Sequence, residues 1–383
     1  MNVAILLLNA GRGSGEVARR QAEYLVREGC RVHFMHPRVG DGVPGAVNVD
    51  IPLHSPVVPV HEYLPSAGDT QEQVASMTHE RAMTYLADYE RALQDVVADV
   101  DIVYGHHANI SAVATARVAR AAGKPYVLFL HGTGIEPRHH GGYDDLTWDM
   151  IRDAIEGADG ILVTTDYVRD ELVRPKADVP VERFIVLPCG IDTEEFRSGR
   201  DDAVAAKYDL PERYVICAGA LTESKGPQNV VEASREYADL ATTIFIGDGD
   251  LRARIERDLE GRGRCLGFVS SAEKAALINA ATLLAAAPEK KEHFGIIYAE
   301  ALAAGTPSVA YAGGGVASIV TPETGVLTRR TPAALGHAIR ELLQDPARIE
   351  TMATAGRARA EAGFDWLVLG KRMHDWLAGI CSA

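Results

Sequence analysis

Two doubly wound α/β domains are what this 383-residue chain predicts, and three observations carry that reading. Short Val/Ile/Leu-rich runs alternate with longer helical patterns throughout, the arrangement expected of parallel sheets covered by helices. The rhythm restarts after about residue 200, which makes two sets. The length also exceeds what one hydrophobic core ordinarily serves.

The first set of strands is read in "NVAILLL", "CRVHFMH", "DIVYGHH", "PYVLFLHG", "GILVTT" and "RFIVLPCG". "VAILLL" lacks a basic lead-in and runs straight into "NAGRGSG", so it is expected to be a first strand and not a signal peptide. The charged, Gly/Pro-bearing stretch "PCGIDTEEFRSGRDDA", residues 188–203, marks the boundary. It predicts domains over 1–190 and 191–365. The second set is "RYVICAGA", "TTIFIGDG", "GRCLGFV", "ATLLAAAP", "PSVAYAG" and "TGVLT". After Phe364, the helical spacing of Trp366, Leu369, Met373, Trp376, Leu377 and Ile380 predicts an amphipathic last helix over 366–383 that must pack on something.

Lys and Arg number 39 against 53 Asp and Glu, a net charge of −14, and no long basic run interrupts the chain. Nucleic acid and anionic lipid surfaces are therefore poor partners. The five cysteines are scattered singly, which fits a reducing cytoplasm and suggests neither a zinc knuckle nor a disulfide scaffold. No apolar run approaches a membrane span. "GHH" at 105–107 and "RHH" at 138–140 lack the Cys or carboxylate spacing of a zinc site, and no metal is expected.

Two such domains predict a central cleft, with ligands outside the carboxyl ends of the strands. Four Gly-bearing loops are expected to meet there: "AGRGSG" (10–15), "HGTG" (131–134), "GALTESKG" (219–226) and "PEKKEHFG" (288–295). In the first, Gly11-x-Gly13-x-Gly15 is not the dinucleotide fingerprint, and the second strand ends at His36-Pro37 where a ribose-binding acid should stand. Gly13 and Gly15 are read instead as backbone open to a phosphate or sugar, with a tight turn into the helix as the competing reading.

"EHFGIIYAEALAAGTPSVA", residues 292–310, is a nearly all-apolar helix carrying one carboxylate, Glu300, with Glu292 eight residues earlier. A helix beginning near Gly295 presents free N–H groups at Gly295, Ile296 and Ile297, next to Phe294, as an anion site. Glu300 then lies about 6 Å along the axis from Ile296. A carboxylate accepts two parallel hydrogen bonds, which matches a ribose cis-diol. A nucleotide sugar lying across this helix end would put its diphosphate on the N–H groups and its ribose near Glu300, and Glu292, on the other side of the diphosphate, would meet hydroxyls of the sugar being transferred. The competing readings are a structural pairing of Glu300 with an Arg of a neighbouring helix, and a solvated loop position for Glu292.

These segments resemble the E-x7-E signature of retaining family 4 glycosyltransferases with the GT-B fold. "PCGIDTEEF" resembles that family's N-G-V-D-x-x-x-F crossing segment, "GALTESKG" its G-R-L-x-x-x-K-G loop, "IGDG" its G-x-G turn and "AGGG" its later glycine loop. The resemblance implies two Rossmann-like domains facing a central cleft, a sugar-nucleotide donor held mainly by the C-terminal one, and a last helix returning to the N-terminal, acceptor-side domain. It implies catalytic roles for Glu292, Lys225 and His131, with His131 bonding the donor sugar or the acceptor side; a lone His at a strand end can equally be structural. Base recognition is expected from backbone around Gly267 to Val269.

The chain departs from the pattern at Ala220, where the family usually has an Arg, and at Ser318, where a Glu is frequent. Lys225, the helix N–H groups and Thr222 or Ser224 must then serve the diphosphate. Asp-x-Asp occurs at Asp99–Asp101 and Asp248–Asp250, but neither is read as a metal motif, and a metal-independent transfer is expected, with Lys225 and the helix start stabilising the leaving group. The expected reaction is retaining transfer of a hexose or N-acetylhexosamine from UDP-N-acetylglucosamine or UDP-glucose, a donor substrate and not a cofactor, to a small soluble hydroxyl acceptor. The region from Lys291 to Thr328 is also similar to actinobacterial transferases that glycosylate 2-deoxystreptamine in aminoglycoside antibiotic biosynthesis. A cationic aminocyclitol would suit an acidic protein and carboxylates such as Glu136, Asp144 or Asp145, with plain loop charges as the competing reading of these three. A GT-B-like epimerase or phosphorylase, or a non-catalytic sugar-nucleotide-binding protein, would use the same phosphate site.

Overall fold

The computed structural model describes residues 1–10, 13–38, 42–62 and 70–382. It divides into two compact units, one of Met1–Gly190 with Leu367–Ala383, the other of Ile191–Trp366.

In the first unit a seven-stranded sheet has the order β3-β2-β1-β6-β7-β8-β9, every pairing parallel. The strands are β1 (Asn2–Leu6), β2 (Arg31–His36), β3 (Val47–Asp50), β6 (Ile102–His106), β7 (Tyr126–Leu130), β8 (Gly160–Val163) and β9 (Phe184–Val186). A separate two-stranded ribbon pairs β4 (Val58–Val60) with β5 (Gln71–Gln73). The six apolar runs of the first half become β1, β2 and β6 to β9. The remaining three strands escape sequence reading for a physical reason: β3 is a largely exposed edge, and "QEQ" and "VPV" are too short and too polar or Pro-bearing to register.

The last helix, Trp366–Cys381, buries Leu369, Met373 and Leu377 in this unit. Gly370 lies so close to the Tyr24 ring that an added Cβ would sit 2.3 Å from it, and Trp376 closes over Gly160 in the same way. The apolar stripe read in the tail is the face that packs.

The second unit carries β10 (Tyr214–Ala218), β11 (Thr242–Ile246), β12 (Gly263–Cys265), β13 (Leu283–Ala286), β14 (Ser308–Tyr311) and β15 (Gly325–Thr328) in the order β12-β11-β10-β13-β14-β15, all parallel. Strand order reverses between β10 and β13, so the loops after these two strands flank a topological switch point, where open α/β sheets take their ligands. Helix Ile296–Ala304 is sandwiched between β14, helix Ser271–Asn279 and helix Pro346–Gly363. That enclosure explains why Tyr298, Ala299, Ala301, Leu302, Ala303 and Ala304 are all buried and no polar face was visible.

Candidate active site

The loop after β10 begins at Gly219 and closes in a short turn, Glu223–Lys225, ending on Gly226 at φ +65°. A Cβ at Gly226 would sit 1.9 Å from the carbonyl oxygen of Ala287, so glycine is required both by the backbone angle and by the approach of the neighbouring loop. That neighbour is the segment after β13. Its Glu289 and Lys290 amides donate to the Ser224 carbonyl at 3.0 and 3.3 Å, lacing the two loops together. The lacing brings Lys225 Nζ to Glu292 Oε1 at 2.8 Å. Two predicted catalytic groups, 67 positions apart, thus meet at the switch point.

Glu292 is held from below by the glycine loop after β14. The Gly315 amide donates to the Glu292 carbonyl at 2.7 Å, and a Cβ on Gly314 would lie 2.3 Å from the same oxygen. Phe294 is buried, and Gly295 at φ +90° turns the chain into helix Ile296–Ala304 with the Tyr298 ring packed beneath it. Its N-cap residue, Gly295, has no side chain to cap the helix, and a helix start of this kind can present its first-turn N–H groups, at Ile296 and Ile297, to an anion. Arg330 was missed in the sequence because it belongs to no motif. Its Nη2 donates to the carbonyls of Pro288 and Glu289 at 2.6 and 2.7 Å while its guanidinium lies over Tyr311, so it braces the loop that carries Glu292. Ser318 donates to the Gly315 carbonyl at 2.5 Å and serves the same glycine loop.

Glu300 is 6% exposed, and its partner is Lys274 of helix Ser271–Asn279, with Nζ 2.5 Å from Oε1. The neighbour-helix pairing weighed in the sequence is realised, with a Lys in place of the Arg. Burial pushes the carboxyl above the ordinary glutamate range, Lys274 pulls it back, and Glu195 adds a smaller upward push. Lys274 itself carried no sequence signal.

Gly267, at φ +76°, gives its carbonyl to the Gly247 amide at 2.8 Å and abuts Arg252. Its carbonyl is therefore occupied in holding the loops after β11 and β12 together, while Val269 is half-buried beside it.

In the other unit, His131 follows β7 and is 7% exposed. It stacks on Phe129 at 4.0 Å, and its Nε2 lies 3.1 Å from His106 Nδ1. His107, at φ +68°, is 4.6 Å from the same ring. His106 is fully enclosed, and burial drives its pKa down to about 3, so it stays neutral. This imidazole cluster is what "GHH" and "HGTG" become when adjacent parallel strands end side by side. Among the described residues no group of three or more His, Cys, Asp or Glu is arranged to hold a metal ion.

Two predicted binding residues have structural work. Gly15 is buried in helix Gly13–Arg27, where a Cβ would meet the Ala10 carbonyl at 2.1 Å, so the close approach of the segment after β1 demands glycine there. Asp144 is the exposed N-cap of helix Asp145–Glu156 and accepts from the Leu146 amide at 2.9 Å, while Asp145 pairs with Arg138. Gly13 is the exposed first residue of its helix; Gly11 of the same loop lies outside the described residues.

Residues 11–195 match the family described as Glycosyltransferase Family 4, and residues 201–359 match Glycosyl transferases group 1. The chain is 32% identical over 308 residues to a D-inositol 3-phosphate glycosyltransferase 1 of Catenulispora acidiphila, covering 73% of this chain and 72% of that one. It is 29% identical over 214 residues, 54% of each chain, to a GDP-mannose-dependent alpha-(1-6)-phosphatidylinositol dimannoside mannosyltransferase of Mycobacterium tuberculosis. Among solved structures, Anabaena HepE in complex with UDP superposes with a TM-score of 0.77 at 19% identity, covering 99% of this chain and 100% of that one. Sucrose-phosphate synthase of Thermosynechococcus elongatus gives 0.75 at 20% identity over 100% and 99%. With two Rossmann-like sheets of the GT-B type and matches along nearly its whole length, the chain belongs to the group 1, family 4 glycosyltransferases, enzymes that transfer a sugar from a nucleotide sugar.

Proposed function

We propose that the protein is a metal-independent, retaining hexosyl- or N-acetylhexosaminyltransferase that uses a UDP-sugar and a small cyclitol-like hydroxyl acceptor. The observation that carries this reading is the meeting of Lys225 and Glu292 at 2.8 Å beside the glycine-led start of helix Ile296–Ala304. In the bound state Lys225 exchanges Glu292 for the donor diphosphate, and the N–H groups of Ile296 and Ile297 share the charge. The released carboxylate then accepts from hydroxyls of the sugar. The acceptor oxygen bonds to the anomeric carbon as the bond to the diphosphate breaks, and the acceptor proton passes to the departing phosphate oxygen. Such a step needs charge stabilisation of the leaving group more than a protein base. His131 is proposed to bond the donor sugar or the acceptor.

UDP is favoured as the carrier because the HepE structure holds it, although the mycobacterial relative is named for GDP-mannose. For the acceptor, the Catenulispora relative is named for D-inositol 3-phosphate. The cap on Asp144 and the Asp145–Arg138 pair weaken the case for a cationic aminocyclitol, which needs carboxylates to spare.

The test is a set of reactions in EDTA read by mass spectrometry, with UDP-N-acetylglucosamine, UDP-glucose and GDP-mannose as donors. D-inositol 3-phosphate and 2-deoxystreptamine are the acceptors. A product with retained anomeric configuration by NMR supports the proposal. Sugar isomerisation without acceptor transfer points to an epimerase, phosphate dependence to a phosphorylase, and loss of all turnover in EDTA removes metal independence.

A further inference from the structure

Glu300 and Lys274 form an enclosed ion pair, and Lys274 lies outside the motifs read in the sequence. The lysine is set on helix Ser271–Asn279, whose start is fixed by a capping box between Ser270 and Glu273. Glu273 is engaged with Ser270, Lys207 and Tyr208, so it does not compete for Lys274. The Lys274 ammonium lies 5.4 Å above the centre of the Phe196 ring, which fixes its second side. About a third of the lysine side chain is exposed, against 8% of the glutamate's, so the pair opens to solvent through the lysine.

A ribose cis-diol presents two O–H donors and two acceptor oxygens. The ionised carboxylate can take only the donors; an ammonium has three N–H groups and spends one on Glu300. Together they match both halves of the diol. We propose that Lys274 is a positioning residue of the nucleotide site, holding Glu300 toward the ribose and donating to a ribose hydroxyl oxygen. The inference rests on the donor-site reading above and deepens it. Without Lys274 the enclosed carboxylate would take up a proton, and a protonated carboxyl is a poor double acceptor.

The experiment is isothermal titration of wild type, Lys274→Met and Lys274→Arg with UDP and 2′-deoxy-UDP, and with the GDP pair where GDP binds more tightly. Wild type is expected to prefer the ribonucleotide about tenfold or more, the cost of losing a hydrogen bond to a charged group. Lys274→Met should bring that ratio close to one, and Lys274→Arg should restore most of it. An undiminished ratio in Lys274→Met overturns the proposal, because a merely structural lysine would weaken both nucleotides alike. Equal wild-type affinities overturn it too, while continued sugar transfer would leave the transferase reading standing. Binding of neither UDP nor GDP overturns both. Should Lys274→Met fail to fold by circular dichroism, Lys274→Gln takes its place and the same ratio decides.

Discussion

Lys225 and Glu292 meet at 2.8 Å with 49% and 23% of their side chains exposed, whereas Lys274 and Glu300 meet at 2.5 Å with 35% and 8% exposed. Both pairs lie at the carboxyl ends of one sheet and join the same residue types. Exposure separates them. An open pair is screened by water and contributes about 0–1 kcal/mol, so a diphosphate can take Lys225 without a large penalty. An enclosed carboxylate that loses its cation is left with a desolvation cost of several kcal/mol, so Glu300 keeps its lysine whether or not a nucleotide is bound. The first pair is suited to exchange and the second to permanence.

The comparison breaks most visibly at Lys225. Replacing it with alanine is expected to lower turnover on the order of 10²-fold or more, as loss of one leaving-group donor does, with little change in melting temperature. Steady-state kinetics beside a thermal melt would check it; unchanged turnover would remove the leaving-group account. Lys274→Met, by contrast, should register in stability as well, at a cost of about 1–3 kcal/mol in denaturant unfolding, discounted for the lysine's exposure.

Protonation sharpens the contrast further. Because burial raises the folded-state pKa of Glu300, the native protein binds more protons than the unfolded chain just above the ordinary glutamate range. This group's contribution to stability therefore falls as pH rises through that window. Glu300→Gln should remove this fall, read from unfolding midpoints in the acid range. His106 works in the opposite sense: its lowered pKa makes stability fall as pH drops from about 6.5, the ordinary imidazole value, toward about 3, by at most about 1.4 kcal/mol per pH unit. His106→Asn should flatten that acid limb. The smallest effect is expected from Glu273→Gln at the surface, where Lys207 and then Ser270 hold the carboxyl near 2. Nucleotide affinity should be unchanged and the melting temperature only slightly lowered.

Much of the site was legible because it is built from glycines and charges at fixed spacing. Gly226, Gly295, Gly314 and Lys225 are constrained by a turn angle, a helix start or a contact, and such constraints leave a trace in a single sequence. Lys274 and Arg330 left none, since a lysine in a helix and an arginine after a strand are ordinary until the fold brings a carboxylate or a carbonyl to them. Gly15 and Asp144 illustrate the converse, because each has a structural contact of its own. Close packing and helix capping select the same residue types as ligand binding does, and only the neighbours tell them apart.

The alternation of apolar runs and helical patterns determined the two parallel sheets, because strand and helix periodicity are local properties of the chain. The apolar stripe of the last helix likewise required a partner. Which partner it found, and which charges met across the loops after β10 and β13, was decided by tertiary structure alone. Pairing of side chains 26 or 67 positions apart depends on strand order and crossover, and those emerge only when the sheet assembles.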